Sequence, residues 1–231
     1  MKVTYNQQLD DHLEALVRDF IEGRRELPAV KLTRHLEPGI MHASEGEHCP
    51  VKPYYARTLE NPPPLGRRSI FLFMAGRLFE RQFTTPLPPK EKDGIVGEVD
   101  GEFDGLLIEF KSTRQDMDRF NPETSQPEWI QRAKTYAYIH DVDRIGFGVW
   151  FLVGNMWTHK TENTGLKAWT LEFTPEELGE NWLYMLEQRE SLFRCINNGE
   201  LPEEEWVKAR RKDYECKGCQ YAPLCPFFIR N

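Results

Sequence analysis

Residues 97–111 read Gly-Glu-Val-Asp-Gly-Glu-Phe-Asp-Gly-Leu-Leu-Ile-Glu-Phe-Lys, which crowds five acids and one lysine into fifteen positions. Asp104-Gly105 is the dipeptide favoured in a two-residue type I′ turn. The spacing therefore predicts a β-hairpin of 95–103 with 106–111, in which Phe103 pairs with Leu106 and Asp100 stands directly opposite Glu109. Side chains alternate along a strand, so Val99, Phe103, Leu106, Ile108 and Phe110 form an apolar face, while Asp100, Glu109 and Lys111 share the other. Directly opposed residues have Cβ atoms roughly 4.5–5.5 Å apart, and like charges at that separation destabilise the pair. A solvated acidic face relieves the repulsion, as does Lys111. A divalent cation with oxygen ligands would neutralise both carboxylates at once. Asp104 is assigned to the turn, where Asp tolerates positive φ, and Asp100 to the pair with Glu109.

Outward from the hairpin, apolar residues at helical spacing (Leu9, Leu13, Leu16, Val17, Phe20 and Ile21) predict an amphipathic helix over about 7–25. Residues 26–66 read as irregular, 69–83 as a buried helix, and the proline-rich TTPLPPKEKDG (84–94) as a loop. A helix over 127–140 and strands in RIGFGVWFLVG (144–154) and LKAWTLEF (166–173) follow. Thr174-Pro-Glu-Glu177 has capping-box spacing with proline at the first helical position, opening a helix to about Asn197. This order predicts a mixed-sheet α/β core without internal repeats.

The chain has 231 residues, 39% hydrophobic and 29% charged, as expected of an ordinary globular protein with one good core. A net charge of −7 argues against a protein that simply coats nucleic acid, yet leaves room for a nuclease with a local basic groove. No apolar run is long enough to span a bilayer, and MKVTYNQQLDDHLEAL lacks the features of a signal peptide, so a cytoplasmic protein without membrane contact is expected. No Gly-x4-Gly-Lys-Ser/Thr loop is present, so ATP is not expected as a partner. Basic clusters stand at Arg67-Arg68, at Arg132 with Lys134, and over 208–212, which reads as a phosphate track or a solvated helix face.

Asp100…Glu109-Phe-Lys111 resembles the core of PD-(D/E)XK nucleases. Gly97-Glu-Val-Asp100 followed by Ile108-Glu-Phe-Lys-Ser-Thr113 is similar to the RecB-like branch of that superfamily. The resemblance implies a restriction-endonuclease-like α/β fold, a mixed sheet flanked by helices. It implies that Asp100, Glu109 and the backbone carbonyl of Phe110 hold Mg²⁺ or Mn²⁺, and that Lys111 orients or helps to deprotonate the attacking water. Gly76-Arg-Leu-Phe-Glu80 fits the acidic form of an upstream motif and implies Glu80 as a third acid. A downstream Gln-and-Tyr motif is offered by Gln131 with Tyr136, or by Arg132 at the four-residue spacing, as contacts to DNA.

The tail carries Cys216-x2-Cys219-x5-Cys225, and Cys49 stands far upstream. Cys195 lies on the apolar side of a helical stretch and reads as a buried thiol. One early cysteine and three near the C-terminus are similar to the iron–sulfur RecB-like nucleases, including the CRISPR-associated protein 4 family and AddB-type nuclease domains. The resemblance implies that Cys49, Cys216, Cys219 and Cys225 hold a 4Fe–4S cluster, with structural Zn²⁺ as the alternative. His48 reads as a bystander.

The expected layout is one nuclease domain over 1–231, its core over about 67–200, with cluster-bearing segments at 26–66 and 201–231. The expected activity is metal-dependent exonuclease cleavage of DNA at single-stranded ends. Its setting would be CRISPR spacer acquisition beside an integrase complex, viral DNA processing or DNA repair. The competing expectation is a DNA-binding or assembly module on a nuclease fold.

Overall fold

Strand Leu106–Thr113 carries two alternating sets of side chains, and both are covered. Leu106, Ile108 and Phe110 pack with Leu9 and Leu13 of the first helix; Leu107 packs on the opposite face with Ile130, Ala133 and Ala137. Central strands of a sheet layered on both sides read as nearly continuous apolar runs, which is how LLIEFKST can bury Glu109 as well as its leucines.

The computed structural model describes residues 1–21, 37–66, 87–124, 126–152 and 164–228, with Ser69 and Gly76. Glu80, the rest of the helix expected over 69–83, and Arg67-Arg68 lie outside the described residues. Along the chain, β1 (Lys2–Tyr5) leads into α1 (Gln7–Ile21), followed by β2 (Met41–His42), a 3-10 helix (Ala43–Glu47) and α2 (Val51–Thr58). Next come β3 (Lys90–Lys92), β4 (Ile95–Gly97), β5 (Gly101–Phe103) and β6 (Leu106–Thr113). The remainder is α3 (Pro127–His140), β7 (Arg144–Phe151), β8 (Gly165–Glu172), α4 (Pro175–Asn198), α5 (Glu204–Arg210) and α6 (Asp213–Cys216).

The main sheet has the order β1-β8-β7-β6-β5, with β6 and β7 parallel and the other pairs antiparallel. Parallel neighbours need a crossover, and α3 lies within it. A second sheet of order β2-β4-β3 packs against α3. The protein is thus a mixed α/β fold with mixed sheets flanked by helices. Among the described residues no helix is long and apolar enough to cross a membrane.

Several expectations are met: the Phe103–Leu106 register, the turn at Asp104-Gly105 with φ of 52° and 74°, and the strands β7 and β8. The capping box also forms, with Glu177 N–H on Thr174 Oγ1 (3.2 Å) and Thr174 N–H on Glu177 Oε2 (3.0 Å). The continuous first strand of the hairpin is corrected. Residues 95–97 pair with β3 around a second Asp-Gly turn, Asp93-Gly94, so only 101–103 join the main sheet. Within the expected loop 84–94, Lys90–Lys92 is therefore a strand. β1 was not foreseen, because the alternation in KVTY runs over only four residues directly before the helical pattern of α1.

Helix α1 approaches β7 closely where two glycines leave space. A Cβ on Gly146 would stand 2.9 Å from Leu9 Cδ2, and one on Gly148 would stand 2.8 Å from Leu13 Cδ1 and 3.0 Å from Phe110 Cδ2. Gly148→Ala should therefore destabilise the protein by about 1–3 kcal/mol through overpacking, measured as a lower urea midpoint. An unchanged midpoint would contradict this packing.

Candidate functional site

Asp100 owes its position to a β-bulge. Its N–H donates to the Ile108 carbonyl (3.0 Å), although Ile108 is already paired with Gly101, so two consecutive residues face one. The extra residue inverts the alternation before it: Val99 packs with Leu107 on the α3 face, not with Phe103 and Ile108. A continuous hairpin would have set Asp100 squarely across from Glu109. Instead, Asp100 Oδ2 accepts a hydrogen bond from the Phe110 N–H at 2.7 Å.

Glu109 is 1% exposed. Burial pushes its carboxyl up to about 7; Lys111 and Arg132 pull it down, while Asp100 pushes it further up. The two acids are thus electrostatic neighbours despite the bulge. Lys111 Nζ donates to Glu109 Oε1 and to the Phe110 carbonyl, the latter at 3.2 Å. Both ends of the Phe110 residue's backbone are therefore engaged, N–H by Asp100 and C=O by Lys111. Two carboxylates and a carbonyl are hard oxygen donors, the kind that Mg²⁺ and Mn²⁺ prefer. The ammonium of Lys111 shows that positive charge is accommodated on two of those atoms. Among the described residues no three His, Cys, Asp or Glu side chains converge tightly enough to hold a metal ion.

From α3, Arg132 reaches the same acid, with Nη1 3.7 Å from Glu109 Oε1. Its other nitrogens grip Glu47: Nε lies 2.8 and 2.9 Å from the two carboxylate oxygens and Nη2 2.6 Å from Oε2. Burial opposes the charge on Arg132, but Glu47 holds its pKa well above the ordinary value. Tyr136, one turn on, is buried beneath, and Gly97 makes room for its ring, which a Cβ would meet at 2.9 Å. Burial first, then Glu109, keeps the Tyr136 hydroxyl protonated well above its usual range. Gln131 lines a cleft of about 480 Å³ with Lys134, Asn181 and Tyr184. Glu47 was missed in the sequence. Nothing in ASEGEHC marks one acid over another, and its partner is 85 positions away.

In the basic run 208–212, Lys208 pairs with Glu204 (2.8 Å), Lys212 pairs with Glu128 (2.7 Å), and Arg211 donates to the Phe227 carbonyl.

Of the four cysteines assigned to one centre, two are in contact. Cys49 and Cys225 pack together with Val51 and Val207. Burial pushes the Cys49 thiol up to about 11, with Cys225 adding to the rise, and the Cys225 thiol is raised by burial and then by Cys219 and Cys216. Cys195 packs against the α4 cluster but is half-buried, not the fully buried thiol expected.

Among solved structures, the crystal structure of SSO0001 is similar to this chain, with a TM-score of 0.51 and 12% identity over 94% of this chain and 97% of that one. At that identity the similarity speaks to the fold alone. No protein-family model matches the chain, and no curated protein matches it.

Glu109 binds its proton more tightly folded, near 7, than at its ordinary 4.5. The stability this supplies is fully present below the unfolded value and lost as pH rises through the folded one. Relative to Glu109→Gln, wild-type protein without divalent cation should lose on the order of 3 kcal/mol of unfolding free energy between about pH 4 and about pH 8. A difference that does not change with pH would contradict the burial of Glu109.

Proposed function

We propose that the chain is a metal-dependent deoxyribonuclease of the PD-(D/E)XK, RecB-like type, an exonuclease acting at single-stranded DNA ends. The observation that carries this reading is the grouping of Asp100, Glu109 and Lys111 around the backbone of Phe110, on the strand beside the parallel pairing. Asp100, Glu109 and the Phe110 carbonyl would hold Mg²⁺ or Mn²⁺, with Glu80 as a further acid. When bound, the cation would supply an acidified water and neutralise charge developing at the phosphate. Lys111 would then leave Glu109 and donate to the attacking water, orienting it. The water oxygen would bond to phosphorus and give up a proton to solvent, the bond from phosphorus to the bridging ester oxygen would break, and that oxygen would take up a proton from solvent. Arg132 would contact a phosphate of the strand and Gln131 would line its path, whereas Tyr136, 4% exposed within the core, does not reach it.

Cys49, Cys216, Cys219 and Cys225 would hold a 4Fe–4S cluster, or structural Zn²⁺, tying the segment before α2 to the C-terminal tail. The SSO0001 likeness agrees with such a fold without assigning chemistry. CRISPR spacer acquisition with an integrase, viral DNA processing and repair are all settings for this activity. A second reading, a DNA-binding or assembly module, is favoured by one feature: Lys111 and Arg132 already neutralise Glu109 without a metal.

Labelled single-stranded DNA should be degraded in Mn²⁺, and Asp100→Ala or Lys111→Ala should slow this by roughly a hundredfold or more. Equal rates in wild type and variants would contradict the assigned site; tight binding without cleavage selects the second reading. Anaerobically purified protein should be brown and lose its colour in Cys219→Ala. Colourless protein with stoichiometric zinc assigns the centre to Zn²⁺.

A further inference from the structure

Residues of α3, α4 and α5 line the cleft of about 480 Å³ that holds Gln131, a volume within the range of small-molecule sites, roughly 300–1,000 Å³. Its charges are unevenly matched. Glu47 is taken by Arg132 and Glu128 by Lys212, whereas Arg210 bonds to no carboxylate among the described residues. Of the five N–H donors of its guanidinium, three are used, all on neutral oxygens: Nε on the His48 carbonyl (3.3 Å), Nη1 on Gln188 Oε1 (3.0 Å) and Nη2 on the Gly46 carbonyl. Burial pulls its pKa down to about 10, against the charges of Glu47 and Glu215. A guanidinium drawn partly out of water, with two donors to spare and only neutral partners, favours an anion beside it.

The groups around Arg210 suit the rest of a ligand. The Asn181 carboxamide nitrogen donates to Thr135 Oγ1 (3.0 Å) and to the Gln131 carbonyl (3.4 Å), while its oxygen has no partner among the described residues. The Gln131 carboxamide likewise has none. Tyr184 stands at the same wall, its ring centroid 5.2 Å from Arg210 Cζ, and Lys134 is held loosely, 3.6 Å from Glu177. Carboxamides match the mixed donors and acceptors of a nucleobase edge, and an aromatic ring matches its face. We infer that this cleft binds a nucleoside monophosphate, its phosphate on the spare donors of Arg210 beside Lys134 and its base against Gln131, Asn181 and Tyr184. A free nucleotide and the 5′-phosphorylated end of a strand present the same chemistry. Its role as product or strand end of DNA cleavage rests on the nuclease reading; the binding does not.

Calorimetric titration of the full chain without divalent cation, with thymidine 5′-monophosphate as the probe, tests this. The monophosphate should bind more tightly than thymidine or inorganic phosphate by roughly tenfold or more, since each of those lacks half of the contacts. Arg210→Lys, which keeps the charge but not the fork, should weaken binding by about tenfold. Arg210 also braces Gly46 and His48, so a gain of affinity is the firmer readout. Glu123 is exposed and is the one acid of the lining without a cationic partner among the described residues. Glu123→Lys should tighten binding by about fivefold at low salt, which damage to the fold does not mimic. Exposed Glu190, nine residues from Asn181 and so on the opposite side of α4, is the control, and Glu190→Lys should change nothing. Equal affinity for a 5′-phosphorylated tetrathymidylate, with its unphosphorylated form weaker, upholds the inference and assigns the cleft to a strand end; binding of the monophosphate alone upholds it for the free nucleotide. No binding of the monophosphate, equal binding of thymidine or inorganic phosphate, or equal effects of Glu123→Lys and Glu190→Lys overturns it. DNA cleavage by a protein that binds no monophosphate sinks this inference alone, and binding without cleavage sinks only the nuclease reading.

Discussion

The arrangement depends on a carboxylate placed where an apolar residue would ordinarily be. Glu109 lies on the middle of a strand covered on both sides, at 1% exposure, on the face that also carries Leu107. Burying an acid there costs free energy unless charge or a proton compensates. The structure supplies both: a raised pKa, the ammonium of Lys111 and the guanidinium of Arg132. Each compensating cation must itself be held, and that requirement reaches outward to the Phe110 carbonyl and to Glu47. Glu47 in turn belongs to a segment that ends at a cysteine. One misplaced-looking acid thus accounts for contacts across β6, α3 and the 3-10 helix.

Much of this was legible from short-range pattern. The Asp104-Gly105 turn fixes the register of β5 on β6, the capping box fixes the start of α4, and alternation puts Ile108 and Phe110 against α1. Asp100, Glu109 and Lys111 were found as a group because they lie within twelve residues of one another. What escaped were features decided by a single extra residue or by distance along the chain. The bulge at Asp100 inserts one residue and so reverses Val99, which no alternation rule anticipates. The small sheet escaped because its strands are two or three residues long, although Asp93-Gly94 repeated the signal that marked the main hairpin. Glu47 escaped because only the fold brings residue 47 to residue 132.

The two candidate centres also differ in what holds them. The acidic site is built on β6, which pairs with β7 from Ile108 to Thr113 and with β5 only up to Ile108, where the bulge at Asp100 interrupts the ladder, so its geometry is set by the sheet and that bulge. The cysteines sit on short elements, α6 and the turns after it, packed against α2 and α5. Such segments bury little apolar surface of their own, and a bound metal would tie them to the core more firmly than their packing does.

The central claim is that Asp100, Glu109 and the Phe110 carbonyl form a cation site that Lys111 guards. Crystals of the protein soaked in Mn²⁺ test it most directly, through anomalous scattering. An anomalous peak bonded to both carboxylates and to the Phe110 carbonyl, with Lys111 displaced from Glu109, is the expected result. Density showing Lys111 still bonded to Glu109, and no manganese between the two acids, would contradict it.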